Sequence, residues 1–396
     1  MNYNFDKIIN RKNTNALSIE GYKDYLFGDI ENLNIPYKEE ELIKMWVADM
    51  AFEIAPEIRN ALKKRIDNGI LGYTMMFDKQ YPNAFLNWTK TKYDWEFNPK
   101  HLVYSKGVIP ALFALIDYIC KPNKKVLIMT PSYAFFKHAA DYNNVELVYS
   151  DLINQDGHYT MNFEDIERKT ANEDVALCIF CHPHNPTGRV WKTEELQRFG
   201  EICLANNVMI ISDEIHCDVL RSEQNFTPLA KLFPDSDQII TCMAPSKTFN
   251  LAGILFANVI IPNDELRAEW KKHHIGIENP LSVTAAQAAY EQGQNWLNEL
   301  TIYLDNNFDY LRKYLTTHLP KAKFTIPEAM YLAWVDVGAY FPKDENLTLF
   351  FAEKAGVLLE GGDMFVSNAD GFIRLNLACP KSVLEEGLRR IVEAIS

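Results

Sequence analysis

The sequence has little positive charge and no long apolar run. Its 40 lysines and arginines are outnumbered by 53 aspartates and glutamates, which gives a formal net charge of -13 at pH 7. This excess repels phosphate backbones and anionic lipid surfaces, so we expect neither a nucleic-acid partner nor a membrane partner. A transmembrane helix is not expected either, because no run of about 18 apolar residues occurs.

Cysteine is also scarce. The seven cysteines are scattered through apolar contexts, without the paired spacing of a zinc site. We therefore expect reduced core thiols and predict no metal site. Residues 1–7 lack the basic stretch and apolar run of an export signal, and the expected location is the cytoplasm.

Short apolar runs rich in branched residues predict buried strands in the middle of the chain. These runs are residues 126–129, 145–148, 175–180, 208–211, 239–240 and 258–261. Between them, apolar side chains at helical spacing predict helices, for example over residues 193–206. The alternation indicates an α/β fold with a mostly parallel sheet sandwiched by helices.

The length of 396 residues exceeds the usual size of a single core, so we expect a large domain and a smaller one. The first fifty residues show little regular pattern. Residues 296–318 predict a long helix, and strand-like alternation returns from Phe324 onward. We assign this C-terminal part to a smaller α+β domain.

One lysine and one upstream aspartate suggest a cofactor. Lys247 lies in the small-residue run 244–253, and Asp213 follows the apolar run 208–212. Pyridoxal 5′-phosphate (PLP) needs an amine to hold its aldehyde and an anion against its ring nitrogen, so that the protonated ring can act as an electron sink. Taken alone, each residue is better explained by an ordinary structural role, the lysine as a surface residue of a loop and the aspartate as a helix cap.

Several further segments occur in a fixed order and make the PLP interpretation specific. They are Met45 to Met50, Gly72-Tyr73-Thr74, Asn185-Pro186-Thr187-Gly188, Asp213-Glu214-Ile215-His216, Ser246-Lys247 and Arg374 to Pro380. With these segments the chain resembles the fold-type I aminotransferase superfamily. Within it, the resemblance is to the MalY/PatB-like cystathionine β-lyase, or C–S lyase, branch, and it covers nearly the whole sequence.

The resemblance implies the aspartate aminotransferase-like fold of PLP-dependent transferases. Residues 51–285 would form the large PLP-binding domain, and residues 1–50 and 286–396 the small domain. Ligands of such sheets lie beyond the carboxyl ends of the strands, where Asn185 and Asp213 occur. A homodimer with shared active sites is also implied, because in the family the tyrosine at the position of Tyr73 reaches the phosphate in the neighbouring subunit's site.

Around the cofactor ring, the resemblance assigns Lys247 to the aldehyde and Asp213 to the ring nitrogen. Asn185 would donate to the 3-oxygen, His216 replaces the tyrosine that most of the superfamily uses for that oxygen, and Tyr133 would stack on the ring. The residues alone leave alternatives open: Asn185 as part of a turn, His216 as a satisfied polar residue and Tyr133 as a core aromatic.

The phosphate group requires several N–H donors. Gly107 precedes a helical run, and the unpaired amides of Gly107, Val108 and Ile109 are the predicted cradle, to which Ser246 could add a hydroxyl. A loop glycine and a solvated serine are the alternatives.

Two positions depart from the pattern of many relatives, which hold this phosphate with a serine and an arginine. Here they are Ala244 and Leu255. The missing charge makes Tyr73 the candidate additional donor, as the family implies.

The substrate carboxylate is assigned to Arg374, whose forked guanidinium lies on an alternating strand. A surface salt bridge is the commoner use of an arginine, but the family has its carboxylate clamp at this position. The family also implies that Asn185 and backbone groups near Val47 and Ala48 contact the substrate.

These assignments predict a PLP-dependent β-lyase that cleaves L-cystathionine, L-cysteine or related S-substituted cysteines to thiol, pyruvate and ammonia. The Lys247 amine, its pKa lowered by burial, would remove the α proton, and Tyr73 or Lys247 would protonate the departing sulfur. Transamination shares the early steps, so a class I/II aminotransferase stays open. A PLP-binding regulatory or interaction protein is the alternative without catalysis.

Overall fold

The computed structural model describes residues 3–28, 30 and 33–396. Residues 1, 2, 29, 31 and 32, which belong to the predicted small domain, lie outside the described residues. The strands are β1 Ile43–Lys44, β2 Leu102–Ser105, β3 Lys125–Thr130, β4 Ser132–Tyr133, β5 Glu146–Asp151, β6 Ile153–Gln155, β7 His158–Thr160, β8 Val175–Cys181, β9 Met209–Asp213, β10 Ile239–Met243, β11 Ala257–Ile260, β12 Leu332–Asp336, β13 Val357–Leu358, β14 Glu360–Gly361, β15 Phe365–Val366 and β16 Phe372–Asn376.

Helices cover the faces of the sheets and form much of the C-terminal part of the chain. They are α1 Leu17–Glu20, α2 Tyr22–Phe27, α3 Pro56–Asp67, α4 Gln80–Tyr93, α5 Val108–Ile119, α6 Ala134–Tyr142, α7 Phe163–Thr170, α8 Thr193–Ala205, α9 Pro245–Thr248, α10 Asp264–His273, α11 Pro280–Gln292, α12 Gln294–His318, α13 Leu347–Ala355 and α14 Lys381–Ile395. The predicted helices over 193–206 and 296–318 correspond to α8 and α12.

A seven-stranded sheet in the order β2-β11-β10-β9-β8-β3-β5 forms the centre of the molecule. The five strands from β10 to β5 are parallel, and β11 pairs antiparallel with both β10 and β2. All six apolar runs of the sequence are strands of this sheet. The prediction of a mostly parallel sheet sandwiched by helices is therefore confirmed.

Both faces of the central sheet are buried, because alternate residues of each strand point to opposite layers. In β3, Val126 and Ile128 pack in the core shared with α5, α6 and α10, whereas Leu127 and Met129 pack in the core shared with α7 and α8. This two-sided burial explains why the strands read as continuous apolar runs rather than as alternating ones.

A smaller antiparallel sheet, β12-β16-β14, packs with the C-terminal helices. Ile373 of β16 lies in a core with residues of three helices. These are Phe308 of α12, Phe351 of α13 and Leu384 of α14. This part of the chain has the α+β character expected from Phe324 onward. The exact boundaries of the two domains stay a prediction.

The topology brings three predicted site residues to one edge of the central sheet. Asn185 follows β8, Asp213 ends β9 and Lys247 follows β10. Because β8, β9 and β10 are parallel neighbours, their carboxyl ends lie side by side.

Among the residues that the structure describes, none of the helices combines the length and apolar character needed to cross a bilayer.

Candidate active site

A cavity of about 270 Å³ opens at this edge of the central sheet. Twelve of the thirteen residues that the sequence assigns to the site line it: Val47, Ala48, Gly107, Val108, Ile109, Tyr133, Asn185, Asp213, His216, Ser246, Lys247 and Arg374. Tyr73 is the exception, since it lies away from the cavity and is 94% exposed. The chain thus brings together residues that are up to 327 positions apart.

Lys247 lies in the short helix α9, directly after β10. Its Nζ donates a hydrogen bond to the backbone oxygen of Ala48, at 2.7 Å. Burial, followed by the nearby positive charge of Arg374, lowers the pKa of Lys247 to about 8. A neutral amine is therefore accessible near neutral pH, as a nucleophile or a base requires.

Asp213 is the last residue of β9 and is buried at the floor of the cavity. Burial raises the pKa of Asp213 to about 7, although the backbone N–H of Ile215 donates to its Oδ1 at 3.2 Å and Lys247 attracts its charge. A buried carboxylate of this kind favours a cationic partner, because an opposite charge restores its ionised form. The arrangement suits a protonated ring nitrogen.

Arg374 and Asn185 line the same cavity and contact each other. Arg374, which is 2% exposed, donates from Nη1 to Asn185 Oδ1 at 3.0 Å and forms an ion pair with Glu360. Its Nη2 also lies 3.5 Å from the backbone oxygen of Trp46. The guanidinium is therefore held in one orientation, and its Nε is buried without a hydrogen-bond partner among the described residues.

The loop Trp46–Asp49 closes one side of the cavity and is held by side chains from the C-terminal part. Asn376 Nδ2 donates to the backbone oxygens of Val47 and Asp49, at 2.7 and 2.6 Å. The Tyr331 hydroxyl donates to Ala48 O at 2.9 Å. Because Ala48 O also accepts from Lys247, this loop fixes the position of the lysine amine as well.

The predicted phosphate cradle lies at the first turn of α5. Gly107 has a φ of 138°, a conformation that residues with a Cβ rarely adopt, and Val108 and Ile109 begin the helix with amides that lack an intrahelical partner. Pro110 has no N–H, so the turn offers fewer donors than an ordinary helix start. The helix N-terminus still provides a partial positive charge for an anion.

Leu255 extends into this end of the cavity with a φ of 54° and is 60% exposed. It supplies no charge for a phosphate, in agreement with the departure seen in the sequence. Lys106, next to Gly107, also lines the cavity and is exposed. The sequence analysis did not single out Lys106, although a lysine beside a cradle glycine was a usable signal.

His216 and Tyr133 both reach the cavity. His216 is buried, and its Nδ1 has no hydrogen-bond partner among the described residues. Burial, Lys247 and Arg374 together hold its pKa well below the usual value, so the imidazole is neutral. Tyr133 lies on β4, which pairs with β15, and burial strongly raises the pKa of its hydroxyl. Their roles toward a cofactor stay predictions.

Two oxygen-bearing side chains of the cavity, those of Glu360 and Tyr25, were not predicted from the sequence. Glu360 is buried on β14, and its pairing with Arg374 depends on strand register; the sequence signal was one acidic residue in the apolar run 357–361. Tyr25 lies on α2, and burial beside Glu360 raises the pKa of its hydroxyl to about 12. No pattern in the first fifty residues pointed to Tyr25.

A family comparison accounts for this combination of fold and residues. Residues 40–391 match the model of aminotransferase class I and II. The chain belongs to this aminotransferase family. The resemblance and the fold class inferred from the sequence are thereby confirmed.

The chain also has relatives in the branch that the sequence predicts. The chain is 39% identical over 361 residues to cystathionine beta-lyase PatB of Bacillus subtilis, covering 90% of this chain and 93% of that protein. It is 31% identical to protein MalY of Escherichia coli, with coverages of 90% and 92%. The crystal structure of a PLP-bound C–S lyase from Staphylococcus hominis is similar with a TM-score of 0.95 and 50% identity, over 100% of this chain and 98% of that one.

Proposed function

We propose that this chain is a PLP-dependent carbon–sulfur β-lyase. Its substrates would be L-cystathionine, L-cysteine or related S-substituted cysteines, and its products a thiol, pyruvate and ammonia. The observation that carries the proposal is that Lys247, Asp213 and Arg374 line one cavity in a chain 50% identical to a C–S lyase. Amine, anion and guanidinium are the groups that PLP chemistry on an amino acid requires.

The donor set of the cavity supports PLP as the cofactor. Lys247 and Asp213 could hold its aldehyde and its ring nitrogen, and the first turn of α5 after Gly107 could hold its phosphate. Ser246 and Lys106 lie at the same cavity and could add a hydroxyl and a positive charge. When bound, PLP supplies an electron sink for the negative charge that develops on the substrate Cα.

The protein's own proton transfer would centre on Lys247. In its neutral form the amine can accept the proton of the substrate Cα, and the ammonium can then deliver a proton to the leaving sulfur as the C–S bond breaks. The electron pair of the Cα–H bond becomes the second bond between Cα and Cβ, and the pair of the C–S bond stays on the sulfur, which takes the proton and leaves as the thiol. Addition of one water to the remaining fragment yields pyruvate and ammonia.

The titration of Lys247 gives a direct prediction. Since its pKa is lowered to about 8, acetylation by trace acetic anhydride in the cofactor-free protein should rise with pH to a plateau with a midpoint near 8. Peptide mass spectrometry at each pH measures the labelling. In the denatured protein, the midpoint should return to about 10.4, the ordinary value for lysine. The same midpoint in folded and denatured protein would contradict the assignment.

Arg374 and Asn185 would bind the substrate α-carboxylate. The Asn185 side chain orients the guanidinium through its 3.0 Å hydrogen bond, and Val47 and Ala48 limit the space beside it. A fixed guanidinium loses little freedom on binding, which favours one orientation of the substrate Cα relative to Lys247.

We also propose a homodimer in the cytoplasm, with Tyr73 of each chain contributing to the phosphate end of the other chain's cavity. Several large apolar side chains near Tyr73 are exposed: Ile66, Ile70, Leu71, Met75, Phe77, Ile275 and Ile277. A bridge between Thr74 and Glu278 brings the two segments together. An exposed apolar surface of this kind favours association, and the absence of disulfides among the described cysteines is compatible with a reducing compartment.

Complementation between two impaired variants, assayed at a PLP concentration too low to load Tyr73→Ala alone, tests the shared site. Tyr73→Ala should lose at least about tenfold in PLP affinity, because a phosphate donor is removed. Lys247→Ala should be inactive. If the variants are mixed, unfolded and refolded together in equal amounts, hybrid dimers contain one complete site, and about a quarter of wild-type activity should appear. Activity no higher than the sum of the two separate variants would contradict a shared site.

Release of pyruvate from L-cystathionine by the purified protein with PLP tests the reaction itself. We expect pyruvate, ammonia and thiol in equal amounts. The second candidate function is an aminotransferase, which the family match favours because its description covers that activity. Turnover of an amino acid only when a 2-oxo acid is added, without pyruvate from cystathionine, would establish that function instead.

A further inference from the structure

The acidic side chain of Glu360 occupies the substrate end of the cavity. Glu360 on β14 is the direct cross-strand partner of Arg374 on β16. Side chains of directly opposed residues lie on the same face of a sheet, which explains why the two groups form an ion pair. The pair is nearly dry, with Glu360 6% exposed and Arg374 2% exposed.

Glu360 changes what Arg374 can bind. The guanidinium already gives hydrogen bonds to Asn185 and approaches the Trp46 backbone oxygen, while Glu360 neutralises its charge. The N–H groups of the Arg374 guanidinium that these contacts leave free can still donate to one incoming carboxylate. A second carboxylate on the same ligand would need another cation.

The charged residues of the cavity do not provide that cation. Among the described residues that line it, the lysines and arginine are Lys106, Lys247 and Arg374, and the acids are Asp213 and Glu360. Under the proposed function, Lys247 and Asp213 serve the cofactor ring, and Lys106 lies beside the phosphate cradle. His216 is neutral, since its pKa is held well below the usual range. A second carboxylate would therefore meet Glu360 in a site with little water to screen the repulsion.

We propose that Glu360 excludes amino acids whose second carboxylate lies close to the reacting carbon, such as aspartate, and so selects β-substituents without a negative charge next to Cβ, such as thioethers. This proposal rests on the proposed function, because it assumes that Arg374 receives the substrate α-carboxylate. It makes Glu360 a specificity-determining residue.

The test measures the binding of two unreactive carboxylates to the PLP-loaded protein by calorimetry. Propionate carries one carboxylate and succinate two, with similar carbon chains. In the wild type, propionate should bind at least about tenfold more tightly than succinate. Equal or tighter binding of succinate would overturn the proposal without any variant, so the test does not depend on whether a variant folds.

Glu360→Gln keeps the size of the side chain and an oxygen that can accept from Arg374, but removes the charge. The affinity for succinate should rise at least about tenfold and by a larger factor than that for propionate. Asp363→Asn is the matched control, since Asp363 lies three residues on, accepts from Thr348 and does not line the cavity. Equal changes for both ligands, or no change in Glu360→Gln, would overturn the proposal.

Kinetics with two amino acids provides the complementary readout. In Glu360→Gln, kcat/KM for pyruvate release from S-carboxymethyl-L-cysteine, a thioether with a second carboxylate, should rise relative to that from S-methyl-L-cysteine, mainly through KM. Because carboxylate binding requires no turnover, the two proposals can fail separately. Correct selectivity without pyruvate release would reject only the lyase function, whereas pyruvate release with equal binding of both carboxylates would reject only the role of Glu360.

Discussion

Lys247→Ala should lower the rate of pyruvate release from L-cystathionine by at least about ten-thousandfold, because under the proposed function this residue would supply both the covalent anchor and the base. The 2.7 Å hydrogen bond to Ala48 O fixes the amine, and the lowered pKa makes its neutral form available. Steady-state pyruvate assays at saturating PLP measure the loss. Proton exchange at the substrate Cα, followed by NMR in deuterated water, should be lost in parallel.

Two controls separate this chemical role from a change in folding. Lys106→Ala removes the other lysine of the cavity, which lies at the phosphate end, and should keep kcat within about tenfold of the wild type while weakening PLP binding. Methylamine added to Lys247→Ala should restore part of the proton exchange, because the truncated side chain leaves room for a small amine. Retention of more than a hundredth of wild-type turnover in Lys247→Ala would contradict the assigned role.

Asp213→Asn should lower kcat/KM by roughly a thousandfold, the second-largest expected effect. The amide has the shape of the carboxylate but cannot keep a ring nitrogen protonated, and the electron sink then fails. Burial already raises the pKa of Asp213 to about 7, so its charge depends on a cationic partner. Pyruvate assays measure the rate, and the absorbance of bound PLP reports whether the cofactor is retained.

Glu214→Gln is the matched control for Asp213→Asn. Glu214 is the next residue and is equally buried, but it faces away from the cavity and accepts from Ser212 Oγ and Leu229 N, at 2.8 and 3.0 Å. Burial raises its pKa to about 8, so an amide resembles its neutral form. We expect less than about tenfold loss. Similar losses in both variants would indicate general damage to this edge of the sheet.

The sequence predicted six of the seven strands of the central sheet, because strands buried on both faces are continuous apolar runs; the edge strand β2, which is buried only at alternate residues, was not predicted. It did not predict their order. The neighbours of β3 are β8 and β5, and this adjacency is set by crossover connections and helix packing rather than by local pattern. The short helices α1 and α2 were also missed, since few apolar positions in that segment repeat at helical spacing.

The site residues that follow the carboxyl ends of strands could be predicted from the sequence. Asn185, Asp213 and Lys247 follow three parallel neighbours, and the topology brings them together. Glu360 was not predictable in the same way, because its position opposite Arg374 depends on the register of β14 and β16. The family and the cofactor class agree with the comparisons, whereas the individual residue roles and the domain boundaries stay predictions.

The most direct test of the whole account is the chemical location of the cofactor. The purified protein is incubated with PLP, treated with borohydride to make any attachment permanent, digested and mapped by mass spectrometry. The account predicts one modified peptide, with PLP attached to Lys247, and no such peptide in Lys247→Ala. An unmodified Lys247 in the wild type, or attachment to a different lysine, would contradict it.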